Sequence, residues 1–178
     1  MDKLKAKTLT NHEINDALKK NGINCNIVKY REIKNFKNLY DLLGKDKCVV
    51  ILYETKTNFG HWICVFENGE GDIEFFDSYG IFPDDENEFV PTDFKKMHGL
   101  YYPILSYFLY DSGKNIHFNE YFLQKHGKNI NTCGRHVITR LYFKKTPHRK
   151  YIKILKDILK YYNILPDDFV TIFTTFFI

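Results

Sequence analysis

Short apolar runs in the first half of the chain alternate with polar turns and predict a small β-sheet. The segment 47–54 is apolar and rich in β-branched residues, which is typical of a buried strand. The segments 61–66 and 72–77 predict two more strands, and the Asn68–Gly71 turn between them predicts a hairpin. A further short strand is predicted at 115–118. These segments supply the strands of one sheet.

Capping residues and helical periodicity predict helices before and after these strands. Thr10 and Glu13 form a capping-box pattern, which predicts a helix to about Lys20 that ends at Gly22. The other predictions are helices over 38–43, 93–110, 131–143 and 147–163, an apolar segment over 169–178 capped by Asp167 or Asp168, and an acidic surface loop over 84–88. Because strands and helices are segregated rather than alternating, we predict an α+β fold with a central mixed β-sheet flanked by helices.

Length and composition limit the class of protein. A chain of 178 residues suits one domain, and we assign 1–178 to it. With 44% hydrophobic and 27% charged residues, the chain is not of the disordered class. It has no apolar run of the ~20 residues that span a bilayer, and its N-terminus lacks the apolar core of a signal peptide. We therefore expect a soluble, intracellular monomer that does not associate with membranes.

The four cysteines are too few and too scattered for a disulfide scaffold, so we expect reduced thiols. Cys48 and Cys64 lie within predicted strands and are interpreted as core residues, and Cys25 as a free surface thiol. No CxxC pair is present, which argues against a structural zinc site. We predict no required cofactor. Cys133 is different, because it begins a predicted helix.

Three residues suggest thiol chemistry. The helix N-terminus at Cys133 favours a thiolate, because the free N–H groups there carry partial positive charge. His61 and Asp77 lie on adjacent strands of the predicted hairpin, where they can approach each other. A nucleophile, a base and an orienting carboxylate are what a catalytic triad requires. His136 lacks an obvious carboxylate to orient it, so we do not predict it as the base.

Each of these residues also fits a structural role when it is taken alone. A cysteine in a helix is often a small core residue, and a histidine at a strand edge is often a half-buried polar ring. An aspartate that ends a strand is often a turn residue. The order of the three residues along the chain is therefore the stronger signal.

That order resembles the adenovirus-protease (adenain-like) and ubiquitin-like-protease superfamily of cysteine peptidases. The matching pieces are Gly60-His61-Trp62, Phe76-Asp77-Ser78-Tyr79-Gly80 and Thr132-Cys133-Gly134, and the resemblance extends over roughly residues 10 to 145. The short length and the Thr-Cys-Gly-Arg-His string are most similar to proteases of virophages, Maverick-type elements and large DNA viruses.

The resemblance implies a papain-like permuted cysteine-protease fold and roles for four residues. His61 would be the general base, Asp77 its orienting group and Cys133 the nucleophile. Gln124, the only glutamine, would donate to the oxyanion. It precedes Cys133 by nine positions, which is more than the family's usual spacing, so Asn129 or Asn131 is the alternative donor. Trp62 would flank the base beside the cleft, and a core position suits it equally well.

The implied function is a cysteine endopeptidase that cleaves viral capsid or virion precursors during maturation. Its location would be the virion and the infected-host cytoplasm or virus factory. The main alternative is an isopeptidase that removes ubiquitin or a ubiquitin-like modifier such as SUMO. An acyltransferase would need an acyl-CoA site, and the chain has no Gly-rich phosphate loop. A non-enzymatic DNA-binding module is the third alternative.

A row of basic residues suggests a nucleic-acid partner. The net charge is only +4, but four cations recur at helical spacing in one predicted helix. They are Arg149, Lys153, Lys156 and Lys160. The row is either the solvated face of an amphipathic helix or a phosphate-backbone contact. Because of the resemblance, DNA is a candidate activator of the predicted peptidase.

Overall fold

A five-stranded mixed β-sheet forms the centre of the computed structural model, which describes residues 1–178. Its strands are β1 (Asn26–Lys29), β2 (Cys48–Lys56), β3 (Phe59–Glu67), β4 (Ile73–Phe76) and β5 (Ile116–Phe118). Their order in the sheet follows their order in the chain. The pairs β2–β3 and β3–β4 are antiparallel, whereas β1–β2 and β4–β5 are parallel. The predicted α+β class with a mixed central sheet is confirmed.

Eight α-helices and two 3₁₀ helices surround the sheet. The α-helices are α1 (Asp2–Ala6), α2 (Asn11–Lys20), α3 (Leu39–Leu43), α4 (Thr92–His98), α5 (Ile104–Asp111), α6 (Cys133–Tyr142), α7 (His148–Tyr162) and α8 (Pro166–Thr175). The 3₁₀ helices cover Tyr30–Asn35 and Asp85–Phe89. The predicted capping box of Thr10 and Glu13 is confirmed, with Gly22 at a positive φ just beyond the end of α2. None of these helices is both long enough and apolar enough to span a bilayer.

The β2–β3–β4 meander determines where the predicted base and its carboxylate lie. The predicted hairpin between β3 and β4 is confirmed, with Cys64 opposite Phe76. Asp77 therefore leaves the sheet beside β3, close to His61. Gly60 is needed before the histidine, because a Cβ there would lie 1.8 Å from the Tyr53 carbonyl oxygen.

The sheet separates two hydrophobic cores. On one face, residues such as Leu52 and Trp62 pack with Val137 of α6. On the other face, residues such as Ile51 pack with Leu105 of α5. Helices cover both faces, so α6, the helix of the predicted nucleophile, is held directly against the sheet.

Two of the predicted helical segments differ in the structure. The predicted helix over 93–110 is divided into α4 and α5, because Gly99 adopts a left-handed conformation at φ 68° and Pro103 precedes the second helix. The last helix begins at Pro166, before the predicted cap at Asp167 or Asp168. The short elements α1 and β1 were not predicted.

The prediction of four reduced cysteines is wrong for two of them. Cys25 and Cys48 form a disulfide, with their Cα atoms 5.0 Å apart. The parallel pairing of β1 with β2 sets Asn26 beside Val49, so the preceding residues, Cys25 and Cys48, also lie side by side. Cys64 and Cys133 are free and buried.

Candidate active site

The predicted base and its carboxylate form a buried pair. The Nε2 atom of His61 lies 3.1 Å from Oδ2 of Asp77. The other carboxylate oxygen of Asp77 accepts a hydrogen bond of 2.6 Å from the backbone N–H of Tyr79. Because both oxygens have partners, the carboxylate is fixed in direction. It engages Nε2 of the imidazole, and Nδ1 is left for a third group.

Cys133 is the first residue of α6 and the third member of the constellation. Its side chain is buried and lies among residues of the core that α6 shares with the sheet. The first turn of α6 contains no acidic residue of its own, and the positive end of the helix dipole favours a thiolate at Cys133.

The charges around His61 determine its protonation. Burial lowers the pKa of His61. The Asp77 carboxylate and the hydrogen bond and charge of Cys133 raise it by more, so the pKa lies well above its usual value. Cys133 begins α6, which packs against β3, the strand that carries His61. His61, Asp77 and Cys133 are thus brought together, although 56 positions separate Asp77 from Cys133 in the sequence.

Tyr79 covers the imidazole with its ring. The ring centroids of His61 and Tyr79 are 4.6 Å apart at an interplanar angle of 22°. His126 stacks on Tyr79 with its ring centroid 4.3 Å away. These rings restrict the motion of His61.

Gln124 joins this group through Tyr79. Its Oε1 atom accepts a hydrogen bond of 2.8 Å from the Ser78 hydroxyl, and its Nε2 atom donates one of 3.0 Å to the Tyr79 hydroxyl. No hydrogen bond joins Gln124 to the thiol. The structure therefore places Gln124 beside the ring that covers His61, and its role toward an oxyanion stays a prediction.

The alternative donors have other positions. Asn131 donates from its side chain to the carbonyl oxygen of Ala6, at 2.7 Å, and from its backbone to that of Lys5. Asn129 is exposed on the loop before α6. Asn131 thus attaches this loop to the N-terminal segment.

Asp167 is a buried residue that the sequence reasoning assigned to a helix cap. Its Oδ2 atom accepts a hydrogen bond of 3.0 Å from the backbone N–H of Lys125, and its Oδ1 atom accepts one from the Thr132 hydroxyl. One carboxylate therefore fixes the residue after Gln124 and the residue before Cys133. Burial raises the pKa of Asp167, but hydrogen bonds from His136, Thr132 and Lys125 lower it below its usual value.

The expectation that His136 lacks an orienting carboxylate is also wrong. Its Nε2 atom lies 3.2 Å from Oδ1 of Asp167, so a carboxylate does orient it. His136 is fully buried, and its Nδ1 atom has no hydrogen-bond partner. The pair stabilises the start of α6.

Glu86 is a second carboxyl group near the base. The sequence assigned it to an exposed acidic loop, but its 3₁₀ helix turns it inward and leaves it only 6% exposed. Its Oε1 atom is 4.0 Å from Nε2 of His61 and has no hydrogen-bond partner. Burial raises its pKa to about 7, the charge of His61 lowers this pKa, and the negative charge of Asp77 raises it. Nothing in the sequence distinguishes Glu86 from the neighbouring acids Asp85 and Glu88.

Trp62 occupies a core position, which is one of the two positions that the sequence predicted for it. It is buried, and its Nε1 atom donates a hydrogen bond of 3.1 Å to the carbonyl oxygen of Leu9. The ring also lines a groove of about 670 Å³ between the N-terminal segment, β1 and the start of β3. The groove wall includes Gly60, the residue before the base.

The predicted basic row lies on the outside of the molecule. Arg149, Lys153, Lys156 and Lys160 are all exposed on α7. The apolar side of α7, with Ile152 and Leu155, is buried against the core. The helix is therefore amphipathic, and its cations are free to meet a partner.

Comparison with known proteins identifies a viral relative. The chain is 36% identical over 148 residues to a protein of Sputnik virophage described as uncharacterized protein V9. The match covers 83% of this chain and 85% of the relative. No protein-family model and no solved structure matches the chain.

Proposed function

Because the chain belongs to the same viral protein family as protein V9 of Sputnik virophage, we propose that it is a viral cysteine peptidase of the adenovirus-protease type. One observation carries the proposal. A buried carboxylate, Asp77, binds one nitrogen of His61 at 3.1 Å, and the buried Cys133 begins the helix that packs against the strand of His61. This arrangement has the parts of a nucleophile, a base and an orienting group.

In the proposed reaction the proton of Cys133 passes to Nδ1 of His61, and the raised pKa of the imidazole favours the resulting thiolate–imidazolium pair. The thiolate attacks the carbonyl carbon of the scissile peptide bond, and His61 then gives the proton to the leaving amine. Water, activated by the same imidazole, hydrolyses the thioester and restores the thiol. Asp77 keeps the Nε2 proton on its side of the ring, so that Nδ1 is free to accept the first proton.

Two donors are candidates for the oxyanion. The backbone N–H of Cys133 is free at the start of α6, and such N–H groups stabilise a developing negative charge. Gln124 is the second candidate, since its amide lies beside Tyr79, one ring away from His61.

The proposed substrate is a capsid or virion precursor of the same virus, in the virion and infected-host cytoplasm. Viral kinship supports this choice over host modifiers. The test is to incubate the purified protein with that precursor and to identify new N-termini by mass spectrometry. We expect cleavage at a few defined positions. Unchanged precursor, together with covalent capture of a ubiquitin-like modifier that bears a C-terminal electrophile, would instead favour the isopeptidase.

DNA binding by α7 is a separate proposal. The four exposed cations lie along one helix, and Lys156 also lies over the ring of Tyr121, with its ammonium 4.1 Å from the ring centroid. Neutralising a few phosphates gives affinity that falls steeply with salt. We expect fluorescence anisotropy to detect duplex DNA binding at low salt, and replacement of Lys153 and Lys160 by glutamate to abolish it. The exposed cations Lys34 and Lys37, which lie outside α7, provide a charge-matched control pair.

A non-enzymatic DNA-binding module would show the same anisotropy. It differs in the chemistry of Cys133, since a catalytic thiolate reacts quickly with iodoacetamide near neutral pH and an inert core thiol does not. Slow alkylation of Cys133, equal to that of Cys64, would reject the peptidase and leave the binding module.

A further inference from the structure

A second carboxyl group faces the base, and the mechanism proposed above makes no use of it. Glu86 comes from the 3₁₀ helix, His61 from β3 and Asp77 from the end of β4. One ligand atom from each of the three side chains lies within 4.8 Å of the other two. All three side chains are buried. Separate elements thus bring one imidazole and two carboxyl groups to a single point.

Two buried carboxyl groups at this point share one basic partner. Asp77 is fully buried, Glu86 is 94% buried, and His61 is the only basic side chain that pairs with either. The Oε1 atom of Glu86 points at the imidazole but has no hydrogen-bond partner. Buried polar atoms normally have a partner, and an unpartnered one in a native structure calls for an explanation. A divalent cation would neutralise two carboxylates.

The distances suit such an ion. Zn²⁺ binds histidine nitrogen and carboxylate oxygen at about 2.0–2.2 Å in a tetrahedral arrangement, so neighbouring ligand atoms lie about 3.3–3.6 Å apart. Nε2 of His61 is 3.1 Å from Oδ2 of Asp77 and 4.0 Å from Oε1 of Glu86. Mixed imidazole and carboxylate ligands favour zinc over magnesium or calcium, which prefer oxygen alone.

We propose that His61, Asp77 and Glu86 form a zinc-binding site that switches the enzyme off. Zinc takes the lone pair of Nε2, and the proton on that nitrogen moves to Nδ1. Nδ1 then carries the one remaining ring proton and cannot accept the proton of Cys133. The inhibitory effect rests on the proposed peptidase function, whereas the zinc site does not.

The thiol is not a ligand in this site, which makes the proposal specific. Zinc commonly inhibits thiol enzymes by binding the cysteine itself, because thiolate is a preferred zinc ligand. Here Asp77 and Glu86 face Nε2, and Cys133 is left with the other side of the ring. Loss of the thiol should therefore leave zinc binding intact, and loss of Glu86 should not.

Calorimetric titration of the metal-free protein with ZnCl₂ tests this. We expect Cys133→Ala to bind zinc as the wild type does, and Cys133→Ala/Glu86→Gln to bind at least about tenfold more weakly. Glu88→Gln is the matched control, since Glu88 is exposed two residues further along the same 3₁₀ helix. Equal binding by the Glu86→Gln and Glu88→Gln variants, or loss of binding in Cys133→Ala, would overturn the site.

Cobalt gives a second readout that needs no variant. Co²⁺ bound to nitrogen and oxygen ligands lacks the near-ultraviolet charge-transfer absorption of a thiolate ligand. We expect the wild-type protein to bind Co²⁺ without that absorption, and its presence would contradict the assignment.

In a peptidase assay, zinc should inhibit the wild type and inhibit Glu86→Gln at least about tenfold less. If zinc binds through Glu86 and activity is unchanged, the inhibitory role is wrong while the peptidase assignment stands.

Discussion

The Cys133→Ala variant is expected to lose peptide-bond cleavage by about 10⁶-fold, the scale seen when a triad nucleophile is removed. Alanine has no group that attacks a carbonyl carbon, and the other free thiol, Cys64, is fully buried. The fold should be unaffected, because the Cys133 side chain makes no hydrogen bond that the fold requires. The measurement is the initial cleavage rate of the capsid precursor, with circular dichroism to verify folding.

Cys64 provides the matched control. It is the other free cysteine, it is fully buried within β3, and burial raises the pKa of its thiol well above the usual value. Cys64→Ala should therefore cleave at close to the wild-type rate. Equal cleavage by wild type and Cys133→Ala would reject Cys133 as the nucleophile. Loss of activity in Cys64→Ala alone would point to Cys64 instead.

The Glu74→Gln variant is expected to lower the free energy of unfolding by about 3–5 kcal/mol, as when one partner of a buried ion pair is removed. Both oxygens of Glu74 accept hydrogen bonds of 2.7 Å from Arg140, and neither side chain is exposed. The change leaves the guanidinium buried without its counter-charge. Urea denaturation followed by circular dichroism measures the loss.

A partly exposed pair serves as the control for this effect. Glu67 lies 3.6 Å from Lys47 at the surface, and Glu67→Gln should cost less than about 1 kcal/mol. The double change Glu74→Gln/Arg140→Met should be less destabilising than the sum of the two single changes, since it removes both buried charges. Additive losses would show that the two side chains do not act as a pair.

The ion pair also affects the proposed site. Arg140 belongs to α6, which begins with Cys133, and Glu74 belongs to β4, which leads into Asp77. The contact therefore fixes the helix of the nucleophile against the strand of the orienting carboxylate. Glu74→Gln is expected to reduce activity even at temperatures where the protein remains folded.

Local patterns in the sequence were sufficient for most of the sheet and for the His61–Asp77 pair. The apolar runs and the Asn68–Gly71 turn predict β2, β3 and β4, and antiparallel pairing then brings His61 and Asp77 to one end of the hairpin. The predicted start of α6 is also within two residues of the observed one. These features depend on residues close together in the sequence.

The features that were missed depend on contacts between distant segments. The disulfide required the parallel pairing of β1 with β2, and β1 has no strong strand pattern of its own. Glu86 looks the same as Asp85 and Glu88 in the sequence, and only the turn of the 3₁₀ helix makes it face His61. Asp167 was interpreted as a cap because its partners, Lys125 and Thr132, are more than thirty residues away.

The bonds of Asp167 have a consequence for the protein during its synthesis. A ribosome delivers the chain from the N-terminus, so His61, Asp77 and Cys133 emerge well before Asp167 does. Until then, the backbone at Lys125 and the hydroxyl of Thr132 lack the carboxylate that holds them in place. A nascent chain would thus contain every residue of the triad without a fixed nucleophile loop. The proposed peptidase would gain its activity only after α8 has been made, and its proposed precursor substrates would be protected from cleavage before assembly.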